Sequence, residues 1–263
     1  MNYLDAHNHL QHPNLVPHRE TILAELQQIG LRRAVVNGMT ENDWPDVSSW
    51  AAEHAFVLPS YGLHPWWIAQ RSGQWLDALR AVLEAHPQAG VGEIGLDRWI
   101  EGHDLADQTV VFRAQLDLAE ELARPVTIHC VQAWGALNDC LAGRRFPRGF
   151  LIHAYNGPAE MNAGFIKLGG YFSFSPYFLH ERKAPQREVF RQLPLDRVLV
   201  ETDAPDLRPP DELNPRPLTG ADGKPVNHPA NIDFTYAELA KLRGISVEEL
   251  AAKVADNFAR IFG

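Results

Sequence analysis

The chain has 263 residues, of which 45% are hydrophobic and 22% charged, and its formal net charge is −9. This composition excludes an intrinsically disordered chain and argues against a broad basic surface for nucleic acid, although a local patch or bound metal ions would still attract phosphates. The two cysteines, Cys130 and Cys140, form no CxxC motif, and no apolar run approaches about 18 residues. We therefore expect a soluble, cytoplasmic protein without a membrane or protein partner.

Short apolar runs, polar turns and helical patterns alternate along the chain. The predicted strands are residues 3–9, 33–38, 55–64, 89–96, 124–130, 149–155, 169–175 and 197–205. Amphipathic spacing predicts helices within residues 18–30, 73–87, 105–125, 158–170, 185–194, 231–244 and 246–262. Gly30 is the predicted end of the first helix, and Ser246, with Glu249 three residues later, the predicted start of the last.

Eight buried strands that alternate with helices in about 250 residues favour an α/β fold, specifically a (β/α)₈ TIM barrel. We predict one domain over residues 1–263, because no shift in composition marks a boundary. A doubly wound open sheet is the alternative, since periodicity does not show closure. The Pro- and Gly-rich segment 204–230 is too long for a plain connection and is predicted to cover the active site.

Ionisable side chains lie at or near the carboxyl ends of several predicted strands. In the first strand, DAHNH places Asp5, His7 and His9 on one face, because alternate strand residues point the same way. In a barrel the carboxyl ends of the strands meet at one rim, where catalytic sites are built. The candidate side chains at this rim are His7, His9, His64, Glu93, His129, His153 and Asp203.

Imidazoles and carboxylates without a thiolate cluster suit divalent ions such as zinc, manganese or iron. The candidate ligands outnumber those that one tetrahedral ion needs, so two ions sharing a carboxylate are predicted. Such a pair activates water and stabilises the leaving oxygen of a displacement. The alternative from another class is a binding protein that carries a metal but has lost catalysis.

The motifs DAHNHL, GLHP, GEIGLD, RPVTIHC, HAYNG and LVETDAP resemble, in order and spacing, those of the TatD family of metal-dependent hydrolases and deoxyribonucleases. The match runs from residue 3 to about residue 230, and DNFARIF is similar to the family's closing helix. The resemblance implies an amidohydrolase-like barrel in which His7 and His9 hold one ion, His129 and His153 hold the other, and Glu93 bridges them. It also implies that Asp203 binds metal and accepts a proton from the attacking water, and that His64 faces the phosphate.

Two departures from the family pattern alter the rim without removing a ligand. Many members carry an Arg-Asp pair where this chain has Gln132 and Ala133. The usual Phe-Ser-Gly after the sixth-strand histidine is replaced here by Tyr155, Asn156 and Gly157.

Other polar and aromatic side chains near the rim have two interpretations each. Glu201 either supports a ligating histidine or binds backbone, Asp5 is expected to support rather than ligate, and Asp97 either orients substrate or forms a turn. Aromatic side chains after the strands either stack on bases or pack the loops: Trp66, Trp67, Trp99, Trp134, Tyr155 and Tyr177. Candidate phosphate contacts are Arg98, Arg208, Arg216 and Lys224.

The leading hypothesis is a phosphodiesterase or deoxyribonuclease that acts on DNA ends or short oligonucleotides through a metal-activated water. Asp203, Glu93 and His64 are the predicted catalytic residues. The two ions are zinc, magnesium or manganese, which the ligands do not distinguish. The alternative is hydrolysis of an ester, lactone, amide or aminoacyl bond, because the same activated water attacks a carbonyl carbon.

Overall fold

The computed structural model describes residues 1–263, and its centre is a barrel of eight parallel strands paired in sequence order. The prediction of a (β/α)₈ barrel is confirmed. The strands are β1 Tyr3–Asn8, β2 Leu31–Asn37, β3 Val57–Tyr61, β4 Gly90–Asp97, β5 Val126–Val131, β6 Phe150–Ile152, β7 Gly170–Phe174 and β8 Val198–Val200.

The barrel closes where the ends of β1 and β8 meet. The Asp203 amide donates to the His7 carbonyl at 2.9 Å, and the His9 amide donates to the Ala204 carbonyl at 2.8 Å. Asp5 supports the same seam, because its carboxylate accepts from the Thr202 hydroxyl at 2.6 Å and from the Thr202 amide at 3.1 Å. Closure therefore fixes the two histidines of β1 against the segment that carries Asp203.

Helices surround the barrel, and none of them is long and apolar enough to cross a membrane. Two predicted ends are confirmed: Gly30 ends the first helix with φ 85°, and Ser246 Oγ accepts from the Glu249 amide at 3.0 Å. The helices are α1 Arg19–Ile29, α2 Trp44–Glu53, α3 Trp75–Ala85, α4 Leu105–Glu121, α5 Trp134–Leu141, α6 Asn162–Lys167, α7 Ala184–Gln192, α8 Ile232–Arg243 and α9 Val247–Phe262.

The sequence prediction missed two helices, α2 and α5. Helix α2 buries Trp44, Val47 and Trp50 on one face, but residues 40–46 are rich in polar side chains that are typical of a turn. Helix α5 has only eight residues, too few for a clear helical period.

The segment 204–230 covers less of the site than predicted. It contains a short hairpin, β9 Leu218–Thr219 with β10 Pro225–Val226, and only Asp206 and Leu207 of it line the main cavity. Arg216 fastens it to α8 through a bidentate pair with Asp233, at 2.7 Å for both contacts. Most of the segment is therefore held against the helices.

Candidate metal centre

The carboxyl ends of the strands bring all seven predicted side chains into one buried cluster. Four of them lie beyond the end of a strand, because β1, β3, β6 and β8 end earlier than predicted. The cluster contains His7 and Glu93 within strands, His9 directly after β1, His129 within β5, and His64, His153 and Asp203 in the segments after β3, β6 and β8.

The backbone at this rim is strained where the ligands emerge. Asp203 has φ 56°, Ala154, which follows His153, has φ 40°, and Gln132, after β5, has φ 56°. Such left-handed conformations cost a non-glycine residue about 1–2 kcal/mol. Strain of this kind is typical of functional sites, where the surrounding structure enforces it.

Gly95 lets strands β4 and β5 approach closely enough for Glu93 to reach its partners. It pairs with His129 across the two strands and has φ 155°. A Cβ atom at residue 95 would overlap the His129 carbonyl oxygen. The second glycine of GEIG is therefore a packing requirement of the cluster.

The first half of the cluster consists of His7, His9, Asp203 and one oxygen of Glu93. The two Nε2 atoms of His7 and His9 lie 3.2 Å apart. Glu93 Oε2 lies 3.3 Å from each of these nitrogens. Asp203 Oδ1 lies 3.2 Å from His7 Nε2 and 3.4 Å from His9 Nε2.

The second half surrounds the other oxygen of the same carboxylate. Glu93 Oε1 lies 2.8 Å from His153 Nε2, 3.0 Å from His129 Nδ1 and 3.3 Å from His64 Nε2. His129 Nδ1 and His153 Nε2 are 3.2 Å apart. Glu93 thus stands between two sets of imidazoles, one at each oxygen.

The spacing in the first half fits a metal ion. A tetrahedral ion with ligand bonds of about 2.0–2.2 Å holds neighbouring ligand atoms about 3.3–3.6 Å apart. Protein hydrogen bonds between nitrogen and oxygen lie mostly at about 2.7–3.2 Å. The distances of 3.2–3.4 Å among His7, His9, Glu93 and Asp203 match the edges of such a tetrahedron better than a set of hydrogen bonds.

The charges in the cluster also favour a bound cation. Burial raises the pKa of Glu93, but the neighbouring His153, His64 and His7 lower it by more than burial raises it. The pKa of Glu93 therefore lies well below the ordinary value. Burial lowers the pKa of His9, yet its contacts with Asp203 and Glu93 raise it well above the ordinary value. Buried carboxylates of this kind stay ionised only beside positive charge. Divalent ions provide that charge without protonating the imidazoles.

Hydrogen bonds behind two histidines fix which nitrogen faces the cluster. His9 Nδ1 donates to the Asn37 carbonyl at 2.8 Å, so its Nε2 lone pair points inward. His129 Nε2 donates to Asp97 Oδ2 at 2.8 Å, so its Nδ1 lone pair points inward. Such partners orient a metal-binding histidine and, when they are carboxylates, raise its basicity.

His64 differs in tautomer from His9 and His129. Its Nδ1 accepts the Trp66 backbone N–H at 3.2 Å, so a neutral His64 carries its proton on Nε2, the atom that faces Glu93. Burial lowers the pKa of His64 to about 4, against the opposing charge of Glu93, so the ring is neutral near pH 7. His64 therefore offers a hydrogen-bond donor to the cluster rather than a lone pair.

The structure resolves the roles of three acidic residues that had two interpretations. Glu201 binds backbone, because its Oε1 accepts from the Ala154 amide at 2.8 Å, whereas His153 Nδ1 lies 3.7 Å away and makes no hydrogen bond with it. Asp97 orients His129 and also begins the loop after β4, where Oδ1 accepts from the Trp99 amide at 2.7 Å. Asp5 lies outside the two sets of ligand atoms and stabilises the barrel seam.

A cavity of ≈ 530 Å³ opens above the cluster. Lys183, in the loop after β7, is the only lysine or arginine that lines it. The expected phosphate contacts at Arg98, Arg208, Arg216 and Lys224 are therefore not found there. Arg216 instead pairs with Asp233 and Glu25, and Arg208 pairs with Asp211.

Only some of the aromatic side chains that follow the strands line the cavity. Trp66, Trp99 and Tyr177 line the cavity. Tyr155 is fully buried and packs edge-on against Trp134, with its hydroxyl bonded to the Pro158 carbonyl at 3.0 Å. Of the residues that depart from the family pattern, Gln132 and Asn156 line the cavity, whereas Ala133 and Tyr155 belong to the core.

Comparison with known proteins identifies the family. The family model described as TatD related DNase matches residues 4–263. The chain belongs to this family. The prediction of a TatD-type metal-dependent hydrolase, made from the motifs, is therefore confirmed.

Relatives cover nearly the whole chain. The uncharacterized metal-dependent hydrolase YjjV of Escherichia coli K12 is 28% identical over 262 residues, which is 99% of this chain and 97% of that protein. The 3'-5' ssDNA/RNA exonuclease TatD of Erwinia tasmaniensis is 29% identical over 248 residues, 93% of each chain. The crystal structure of E. coli YjjV superposes with a TM-score of 0.89 at 27% identity, covering 99% of this chain and 97% of that chain.

More distant structures share the fold alone. The phosphotriesterase homology protein of E. coli, solved with phosphate in its active site, has a TM-score of 0.62 at 15% identity and covers 99% of this chain and 98% of that chain.

Proposed function

We propose that this chain hydrolyses phosphodiester bonds at the ends of single-stranded DNA or in short oligonucleotides, using two divalent ions. The observation that carries the proposal is the position of Glu93, whose two carboxylate oxygens each face a separate set of imidazoles. One carboxylate between two ion positions fits the two-ion arrangement of metal-dependent hydrolases, which stabilises both the attacking and the leaving oxygen. The relatives named as ssDNA/RNA exonucleases support a nucleic acid substrate.

Each ligand set has a defined membership in this proposal. His7, His9, Asp203 and Glu93 would hold one ion. His129, His153 and Glu93 would hold the other. Such ions, when bound, lower the pKa of a water molecule and stabilise the oxygens of the displacement.

The protein's own side chains supply the remaining steps. Asp203 lines the cavity, and its pKa lies below the ordinary value: burial raises it, but the neighbouring His7 and His9 lower it more. It is therefore ionised and accepts a proton from the attacking water. His64 donates its Nε2 proton as a hydrogen bond to a phosphate oxygen, and Lys183 contributes a positive charge to the cavity wall.

The test is hydrolysis by purified protein loaded with Mg²⁺, Mn²⁺ or Zn²⁺. Substrates are single-stranded and duplex oligonucleotides labelled at the 3′ or 5′ end, beside a panel of esters and lactones. Asp203→Asn should reduce oligonucleotide cleavage about 10²–10⁴-fold, the contribution of a general base. Asp196→Asn, an exposed substitution before β8 at the opposite end of the barrel, is the matched control and should retain activity.

Two results would contradict the proposal. One is full activity of Asp203→Asn. The other is cleavage of esters or lactones with oligonucleotide cleavage at background, which would favour carbonyl chemistry.

A further inference from the structure

Two exposed tryptophans stand at one side of the cavity mouth. The Trp99 side chain is 67% exposed and that of Trp66 is 44% exposed. Both line the main cavity and also an adjoining open cleft of ≈ 540 Å³. Large exposed aromatic surfaces that continue a functional cavity mark a binding surface.

One hydrogen bond holds the Trp66 ring beside the cluster. Its indole N–H donates to Asp97 Oδ2 at 2.7 Å, the same oxygen that His129 contacts. Its ring centroid lies 5.2 Å from that of His64 and 6.3 Å from that of His129. A ring that stacks on Trp66 would therefore lie next to a phosphate held at the cluster.

Charge at the site points in the same direction. The chain carries a net charge of −9, and Lys183 is the only lysine or arginine that lines the main cavity. Proteins that bind single strands usually gain affinity both from basic contacts along the backbone and from stacking of bases on aromatic rings. With so few basic contacts, stacking has to supply much of the affinity outside the metal centre.

We propose that Trp66 and Trp99 form a stacking site for one unpaired nucleobase of the substrate, adjacent to the phosphate that is cleaved. This inference rests on the proposed nuclease function and specifies how that site selects single strands. A base in a duplex is stacked and paired, and its faces are not available to the tryptophans. Every base has an aromatic face, so the site is tolerant of sequence.

Trp99→Ala is the cleanest variant for testing the site. The Trp99 side chain makes no hydrogen bond, and its backbone N–H contact with Asp97 does not depend on the side chain. Trp99→Phe, which keeps an aromatic face, should restore most of the function. Val110→Ala, on α4 and 65% exposed, is the matched control for loss of an exposed apolar side chain.

The decisive experiment is a double-mutant-type cycle. The Trp99 side chain is removed from the protein and the base from the substrate, first separately and then together. Steady-state kinetics are measured on a single-stranded oligonucleotide and on one in which the terminal two nucleotides are abasic. Stacking is worth about 1–3 kcal/mol per base, so Trp99→Ala should raise KM about 5- to 150-fold on the normal substrate, with a smaller effect on kcat. On the abasic substrate, wild type and Trp99→Ala should have equal KM values.

The outcomes separate this inference from the function on which it rests. If wild type cleaves oligonucleotides and Trp99→Ala changes KM equally on both substrates, or on neither, the stacking site is refuted while the nuclease function stands. The exposed tryptophans would then belong to another surface, such as one for a protein. If wild type cleaves neither substrate with any of the three metals, the proposed function itself fails.

Discussion

The two halves of the cluster differ in where their carboxylates stand relative to the histidines. In the first half, Asp203 and Glu93 both place a carboxylate oxygen directly against the imidazoles of His7 and His9. In the second half Glu93 alone does so, and two further carboxylates stand behind the histidines: Asp97 behind His129, and Glu201 near His153.

The halves also differ in exposure and in their supporting groups. The side chains of His7 and His9 are 0% and 3% exposed, whereas that of His129 is 12% exposed. His9 is oriented by a neutral backbone carbonyl, that of Asn37, whereas His129 is oriented by the carboxylate of Asp97. A carboxylate behind a histidine strengthens it as a ligand, but this only partly replaces a carboxylate in direct contact with the ion. We therefore expect a tighter ion in the first half and a more exchangeable ion in the second.

The largest effect is expected for the residue that both halves share. Glu93→Gln removes the charge between the two sets of imidazoles and should weaken both ion positions at once. Loss of several kcal/mol of charge stabilisation corresponds to a fall in kcat of at least about 10³-fold. Metal content after dialysis, measured by mass spectrometry, should fall at both positions.

The control for this substitution is Glu84→Gln on α3, whose side chain is 58% exposed. It should leave metal content and turnover unchanged. Retention of both ions by Glu93→Gln would show that the two halves do not depend on their shared carboxylate.

A smaller effect, confined to the second half of the cluster, is expected for Asp97→Asn. This variant keeps every candidate ligand but replaces the carboxylate that orients His129. Loss of such a supporting partner typically reduces metal affinity or activity about 10–100-fold. Calorimetric titration of the metal-free protein should show two binding events in wild type, of which only the weaker one is shifted in Asp97→Asn.

Asp77→Asn, an exposed substitution on α3, should leave both binding events in place. If Asp97→Asn weakened both binding events equally, the predicted difference in ion affinity between the two halves would be wrong.

The same comparison shows which parts of the site the sequence predicts. The alternation of His7 and His9 and the histidines near other strand ends could be recognised because parallel strands bring their carboxyl ends to one rim. The support of His9 could not be recognised. Its partner is the backbone carbonyl of Asn37, which every residue possesses, and the contact depends on the register between β1 and β2.

Loop contacts were the least predictable part. Arg216 was expected near the phosphate, but it pairs with Asp233 on the following helix and with Glu25 near the start of the chain. Lys183, which does line the cavity, lies in a short turn between β7 and α7 that carries no motif. Periodicity predicts strands and helices, but it does not predict how an irregular segment folds back on them.

Metal removal should lower thermal stability by a moderate amount. Ions that bind only the folded chain stabilise it by about 2.7 kcal/mol at 100 times the dissociation constant. For a chain of this size that corresponds to a rise in Tm of roughly 5–10 °C. Calorimetry at increasing metal concentration should show this rise in wild type and a smaller one in Glu93→Gln. An equal rise in the two proteins would place the stabilising ion elsewhere.

The smallest effect is expected for Tyr155→Phe, two residues after His153. Although it follows a candidate ligand of the second half, Tyr155 is fully buried, and its hydroxyl donates to the Pro158 carbonyl at 3.0 Å. Removing the hydroxyl should cost about 0.5–1.5 kcal/mol of unfolding free energy, the value of one hydrogen bond, measured as a shift of the urea midpoint. Turnover and metal content should stay at the wild-type level, because the ring fills the core and does not face the cavity. A tenfold loss of activity with unchanged stability would instead link this departure from the family pattern to the second half of the cluster.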